Sequence, residues 1–168
     1  CDIEDVFFLM PDWSLHLDPA TLKSELEKRP EILSAGLTKC VPSSLMGMEY
    51  RSESGDQIYI TVLECSKEAF DIFGFEMMTV NDPDDYTGVW MTPESAKTES
   101  IYPEDFKKML SRQFGDYRIA GMINDIPTAG GQNNIDDFPA IVVVRNFDFF
   151  AMAIKTVSDH GKARRVIA

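Results

Sequence analysis

Few residues in this chain have the type and spacing to do chemistry. The cysteines are Cys1, Cys40 and Cys65 and the histidines are His16 and His160. Their spacing fits neither a zinc site nor a Cys-x-x-Cys redox motif. Cys65 with a distant histidine would make a thiol nucleophile. It directly follows an apolar strand-like run, however, where a buried inert thiol is commoner. His160 beside Asp159 reads as a polar helix terminus. Asn81-Asp-Pro-Asp-Asp85 invites a calcium reading, but an EF-hand loop needs a glycine and a distal bidentate Glu in register, and neither is there. A solvated turn suits it better. Gly130-Gly131 precedes an Asn/Asp loop instead of a helix, so it forms no phosphate cradle. No Walker A loop, Gly-x-Ser-x-Gly elbow or Rossmann fingerprint occurs. The residues predict no catalytic group, no metal and no cofactor.

One polar stretch has the chemistry of recognition instead. In Gly130, Gly131, Gln132, Asn133 and Asn134, paired glycines permit backbone conformations barred to other residues. The three amides offer both donors and acceptors to a partner. Loops on a rigid scaffold often carry binding, and Asp136 and Asp137 would favour a basic partner patch. The bland alternative is an ordinary connection.

The elements that must position this loop are legible as pattern. Tyr117 to Ile126 reads as a strand, with Tyr117, Ile119 and Ile123 on one face at period two. Gly121 interrupts that face, as at a bulge or a close backbone approach. Pro139 to Val144 resumes the chain on the far side of the loop. Upstream, Val6 to Met10 is a short apolar strand. Asp18-Pro19 opens a helix with Leu22 and Leu26 on its buried face, closing near Arg29 before Pro30. Ile32 through Gly36 to Val41 and Ile58 to Leu63 are extended and are expected to form a hairpin around the Ser52 to Asp56 turn. Ser66 caps a helix carrying Phe70 and Phe73 that stops at Gly74. Gly88 to Met91 is a strand feeding a helix capped at Thr92. Pro103 opens a further helix with Phe106, Met109, Leu110 and Phe114 inward and Gly115 as its stop. Ala140 to Arg145 and Phe149 to Lys155 are late strands, and Ser158 begins a terminal helix. Strands and helices do not alternate strictly, which predicts an α+β fold.

Composition narrows the function classes. The 168 residues are 44% hydrophobic and 11% aromatic, enough for a packed core. A net charge of −12 and a pI near 4.5 oppose binding to nucleic acid or to an anionic membrane surface. Lys162, Arg164 and Arg165 form the one basic cluster, read as the solvated face of the terminal helix. No run approaches the ~20 apolar residues of a membrane span. The chain starts without Met and without a signal-peptide pattern, which predicts a piece excised from a longer protein. Cys40 and Cys65, expected on neighbouring strands, could form a disulfide in an oxidising compartment; two buried thiols are the plainer reading. The nine methionines are scattered, as adaptable core filler would be.

From about residue 58 to 145 the order of motifs resembles a known family, the MacB-like periplasmic core domain of FtsX/MacB-type ABC transporter permeases. The residues that carry it are Ser66-Lys-Glu-Ala-Phe70 with Phe73-Gly74-Phe75, and Val89-Trp-Met-Thr92-Pro-Glu94-Ser-Ala96. Ile119-Ala-Gly121-Met-Ile-Asn-Asp125-Ile126 and the returning Pro139-Ala-Ile-Val-Val strand complete the set. Each motif is short, and it is their order that is specific. The chain departs from the pattern at Thr79-Val80-Asn81, where many members carry Gly-Arg, and at Ile126-Pro127, where aromatics are common. It also stops within the helix that precedes the family's last strand.

The resemblance implies a porter-like β-α-β-β-α-β subdomain, from residues 1–64 and 140–168, with a mixed α/β subdomain at 65–139 inserted. The whole would be one extracytoplasmic domain, excised from between the first two transmembrane helices, at the periplasmic face of the inner (cytoplasmic) membrane. It would be non-catalytic, coupling hydrolysis by a cytoplasmic ATPase subunit or domain to export or mechanical signalling. Its partners would be that ATPase through the rest of the permease, the membrane through flanking helices, and a periplasmic protein or cargo. The alternative is a secreted or periplasmic ligand- or peptide-binding module. A hydrolase with an unfamiliar site is a third.

Overall fold

A computed structural model describes residues 5–10, 18–39, 45–126, 139–146 and 151–157. Local sequence explains most element ends. Strand β1 is Val6–Leu9. Helix α1, Pro19–Glu27, starts where the Asp18 carboxylate accepts from the Thr21 N–H at 3.0 Å, and it ends two residues before the expected Arg29. Strands β2 (Ile32–Thr38), β3 (Met46–Arg51) and β4 (Gln57–Cys65) follow. Helix α2, Lys67–Phe73, is capped by the Ser66 hydroxyl and terminated by Gly74 at φ 60°. After β5 (Met77–Val80) and β6 (Gly88–Met91), the Thr92 and Ser95 side chains form a capping box for α3, Pro93–Ile101. Helix α4 (Pro103–Phe114) and strands β7 (Ile119–Ile123), β8 (Ala140–Val144) and β9 (Ala151–Thr156) complete an α+β fold.

The nine strands make one mixed sheet in the order β1-β9-β2-β4-β8-β6-β7-β5, with β3 paired to β4. β9 lies antiparallel between β1 and β2, so β1-α1-β2 is a β-α-β unit split by a third strand. β4, α2 and β9 form a second such unit split by β2, which interlocks with the first. Together they spell β-α-β-β-α-β. β5 to β8 are threaded between α2 and β9, and β5, β6 and β7 form a contiguous block at one end of the sheet.

Three expectations change. The hairpin around Ser52–Asp56 is β3 with β4 over six unbroken pairs, Met46↔Val62 to Arg51↔Gln57. β2 instead meets β4 through the single pair Thr38↔Cys65. β3 was hidden because Met-Gly-Met-Glu-Tyr-Arg lacks β-branched residues, and β5 because it has four residues beside an acidic loop. In β7, the register against β6 shifts between Ile119 and Gly121. The shift reverses the alternation. Tyr117 and Ile119 pack against the α4 side, whereas Ile123 is buried on the α2 side.

Two apolar layers sandwich the sheet. On one face, Phe70, Phe73 and Phe75 pack with Trp90, whose ring centroid lies 4.9 Å from that of Phe70. On the other, Phe106, Met109 and Leu110 of α4 cover Ile58, Ile60, Val89 and Val143. A smaller cluster under α1 joins Ile32, Ala35, Met152 and Ile154.

Two glycines are required by backbone approach. A Cβ at Gly36 would overlap the Ala69 backbone of α2, and one at Gly121 would overlap the Thr79 carbonyl and the Trp90 ring. Neither obstacle is a flexible side-chain tip. Gly121→Ala should therefore destabilise the chain by roughly 1–3 kcal/mol, the range for overpacking a filled core. Urea melts read this directly, and an unchanged midpoint would show that β5 moves aside freely.

Candidate functional site

The predicted recognition loop, Gly130, Gly131, Gln132, Asn133 and Asn134, lies outside the described residues, as do Cys1, His16, Cys40, His160, the Lys162–Arg165 cluster and the helix expected from Ser158. The roots of the 127–138 segment are described, and they are firmly held. On the outgoing side Ile126 is buried in the aromatic layer and its N–H donates to Asp125 Oδ1 at 2.7 Å. Asn124 donates from its backbone to the Glu76 carbonyl at 2.8 Å and from its side chain to Glu76 Oε2 at 3.2 Å. On the returning side the Thr92 hydroxyl donates to the Ala140 carbonyl at 2.8 Å, which ties the start of β8 to the N-terminus of α3.

The hairpin turn shares this end of the molecule, because β8 runs parallel to β4 and both begin there. Two contacts pin the turn to the helices. Lys108 of α4 pairs with Glu53 at 2.7 Å, and the Tyr102 hydroxyl donates to Asp56 Oδ2 at 3.0 Å. The Lys108 hydrogen bond, then its charge, holds the Glu53 carboxyl below its usual range, and the same contact raises Lys108. The bond to Asp56, reinforced by desolvation, pushes the Tyr102 phenol up.

At the far end of β4 sits the main charged constellation of the described residues. Glu64 is 2% exposed. Its Oε1 accepts from Lys39 Nζ at 2.7 Å and its Oε2 from Arg145 Nη2 and Nε at 2.6 and 2.9 Å. Lys39 follows β2 and Arg145 follows β8, so one carboxylate ties together the strands flanking β4. The Arg145 guanidinium also lies 5.3 Å from the centroid of the Phe114 ring. Backbone bonds reinforce the junction: Lys39 N–H to the Glu64 carbonyl at 2.9 Å, Ser66 N–H to Leu37 O at 2.8 Å, and Arg145 N–H to Cys65 O at 3.1 Å. Cys65 is fully buried there, in the α2-side core. In the sequence the only signal of this constellation is an acid closing one apolar strand and a base closing another, far apart along the chain.

The acidic loop is a solvent-facing turn, as expected, and two of its carboxylates meet an arginine at the surface. Arg118 contacts Asp85 at 2.9 Å and Asp82 at 3.6 Å, and its Nε donates to the Thr87 carbonyl at 2.9 Å. Hydrogen bonds from the Thr87 hydroxyl and N–H, with smaller help from the charges of Arg118 and Lys67, hold Asp85 below its usual value. Among the described residues, no group of three or more His, Cys, Asp or Glu could hold a metal ion.

No family model matches the chain, and no curated protein matches it significantly. Solved structures do. Over 98% of this chain and 81% of the other, the fold is similar to the periplasmic region of MacB from Actinobacillus actinomycetemcomitans, with TM-score 0.53 and 11% identity. The fold is MacB-like. Over 96% and 86% of the two chains it is also similar to the extracellular domain of YknZ, a noncanonic ABC-type transporter of Gram-positive bacteria, with TM-score 0.52 and 10% identity. Within this MacB-like fold, no helix of the described residues is long and apolar enough to cross a membrane.

Removing the charge on Glu64 would strand two cations at the junction. Glu64→Gln should cost about 3 kcal/mol, the low end for breaking a buried pair, since Lys39 and Arg145 both reach solvent. Urea denaturation should show the loss, and a cost within ~0.5 kcal/mol of zero would mean that the strands hold the junction without it.

Proposed function

We propose that this chain is a non-catalytic extracytoplasmic domain of an ABC transporter permease. It would couple hydrolysis by a cytoplasmic ATPase to export or mechanical signalling and dock a periplasmic partner. The observation that carries this reading is the correspondence of nearly the whole chain with two domains described as periplasmic and extracellular parts of transporters. Residues 1–64 and 140–168 would form the porter-like part and 65–139 the insertion. The placement of β5, β6 and β7 side by side at one end of the sheet supports an insertion, while α2, at 67–73, completes the β-α-β-β-α-β run and β8 lies between the two parts. Helix α2 bridges the parts, since its Phe70 and Phe73 share one core with Ala153 and Val142.

The physical logic is transmission through a stiff body. A core shared by α2, β4, β8 and β9, together with the charge-linked junction at Glu64, lets force on one end reach the other without local unfolding. The 127–138 segment stands on two anchored roots, and it is where this reading puts partner contact.

Two tests apply. The complete reading frame should encode one apolar segment of about 20 residues before this domain and several after it. A cleaved signal peptide with no membrane helix would favour a secreted binding module instead. In the full-length protein, replacing Gln132, Asn133 and Asn134 by alanine should leave the melting temperature unchanged while lowering transport or partner capture. Undiminished capture and transport would return the loop to a plain connection.

A further inference from the structure

A second surface pairs an open strand edge with a groove, and it does not depend on the transporter reading. Strand β3 pairs with β4 on one side only, and no described strand occupies its other edge. Along that edge runs an open groove of about 310 Å³. Its walls are four consecutive residues of β3, Gly47 to Tyr50, and one face of α4, Met109, Arg112 and Gln113. The helix residues recur at i, i+3 and i+4, so they share one face of α4.

The backbone of β3 is presented in a usable way. The Ser52 N–H donates to the Asp56 carbonyl at 2.8 Å, which sets the phase of the ladder. Antiparallel pairs alternate between bonded and non-bonded. With the register Tyr50↔Ile58 and Met48↔Ile60, that alternation turns the N–H and C=O groups of Gly47, Glu49 and Arg51 away from β4 and toward the groove. The six pairs run without a bulge, and β3 contains no proline or lysine. Bulges, proline and lysine are among the devices that blunt an exposed edge; β3 carries only the charges of Glu49 and Arg51. β5, at one end of the sheet, does carry such a device, a register shift between Met77 and Thr79.

The side chains define the occupant. Met48 and Tyr50 point to the α4 side, where they are half-buried against a core that includes Met109. Alternate apolar residues of an added strand would sit on them. Arg112 is exposed and makes no ion pair among the described residues, in contrast to Lys108 one turn earlier, which Glu53 occupies. Gln113 adds an amide. We propose that an extended polypeptide segment with alternating apolar residues and one acidic side chain docks here. It would add to the edge of β3 as a further strand, with its acid on Arg112. A second copy of this chain fits less well. Two chains of charge −12 repel each other, which favours a separate peptide over a second copy.

The test uses two fluorescein-labelled pools of nine-residue peptides alternating Val, Ile and Thr, identical except for a central Glu or Lys. The Glu pool should bind the chain at least about tenfold more tightly, the scale of one charge-assisted contact. Arg112→Glu should reverse that preference. Glu49→Pro should weaken binding by a similar factor, since it removes an outward N–H at a position where an edge strand tolerates proline. Independently of any variant, bound Glu-pool peptide should slow amide exchange at Gly47, Glu49 and Arg51. Equal binding of the two pools, preference unchanged in Arg112→Glu, or unaltered exchange at those amides would overturn the proposal. So would protection of the same amides by raised protein concentration without peptide, which would assign the edge to a second copy.

Discussion

The carboxylate of Glu64 is the constraint on which the architecture turns. A charge with 2% exposure is costly unless it is paired and hydrogen-bonded. Here both oxygens are taken, one by Lys39 and the other by two nitrogens of Arg145. The bases come from the chain following β2 and β8, so satisfying one acid fixes where both strands end relative to β4. β2 and β4 otherwise share the single pair Thr38↔Cys65, and the β1-β9-β2 strands overlap β4 at its tip instead of lying along it. Without the ion pairs that tip would rest on a few backbone bonds, the hydroxyls of Thr38 and Ser66, and the packing of α2.

Around this junction the remaining structure is built by close approach. Gly36 lets α2 settle directly on β2, and Gly121 lets β5 and Trp90 close on β7. The aromatic layer of Phe70, Phe73, Phe75 and Trp90 then fills the space on that side of the sheet. At the opposite end of β4 the hairpin turn and the roots of the 127–138 segment are fastened by separate polar contacts, from Lys108, Tyr102 and Thr92. The result is a sheet tied at one end of β4 by the Glu64 ion pairs and at the other by contacts to the helices.

Much of this was legible from local sequence, and the failures are physical ones. Asp18, Ser66 and Thr92 announced three helices because capping is a local interaction, and Gly74 and Gly115 announced two ends for the same reason. Gly121 was correctly read as a site of bulging or close approach. β3 was missed because a half-exposed edge strand needs no β-branched residues, its partner β4 supplying the order. The facing of Ile123 was wrong because a one-residue shift reverses every later side chain, and no propensity records the shift. Glu64, Lys39 and Arg145 are far apart in sequence, and only the topology brings them together. The contacts that hold the chain on either side of 127–138, at Asn124, Ile126 and Ala140, depend on the closed sheet and leave no local signal.

If Glu64 locks the joint, the two ends of the sheet move as one body. Double electron–electron resonance between spin labels at Leu33 on β2 and Ile101 at the end of α3, both exposed, measures this directly. In the wild-type chain a single narrow distance distribution is predicted, broadening in Glu64→Gln under conditions where that variant stays folded. A broad or two-peaked distribution in the wild-type chain, or an equally narrow one in the variant, would contradict the account.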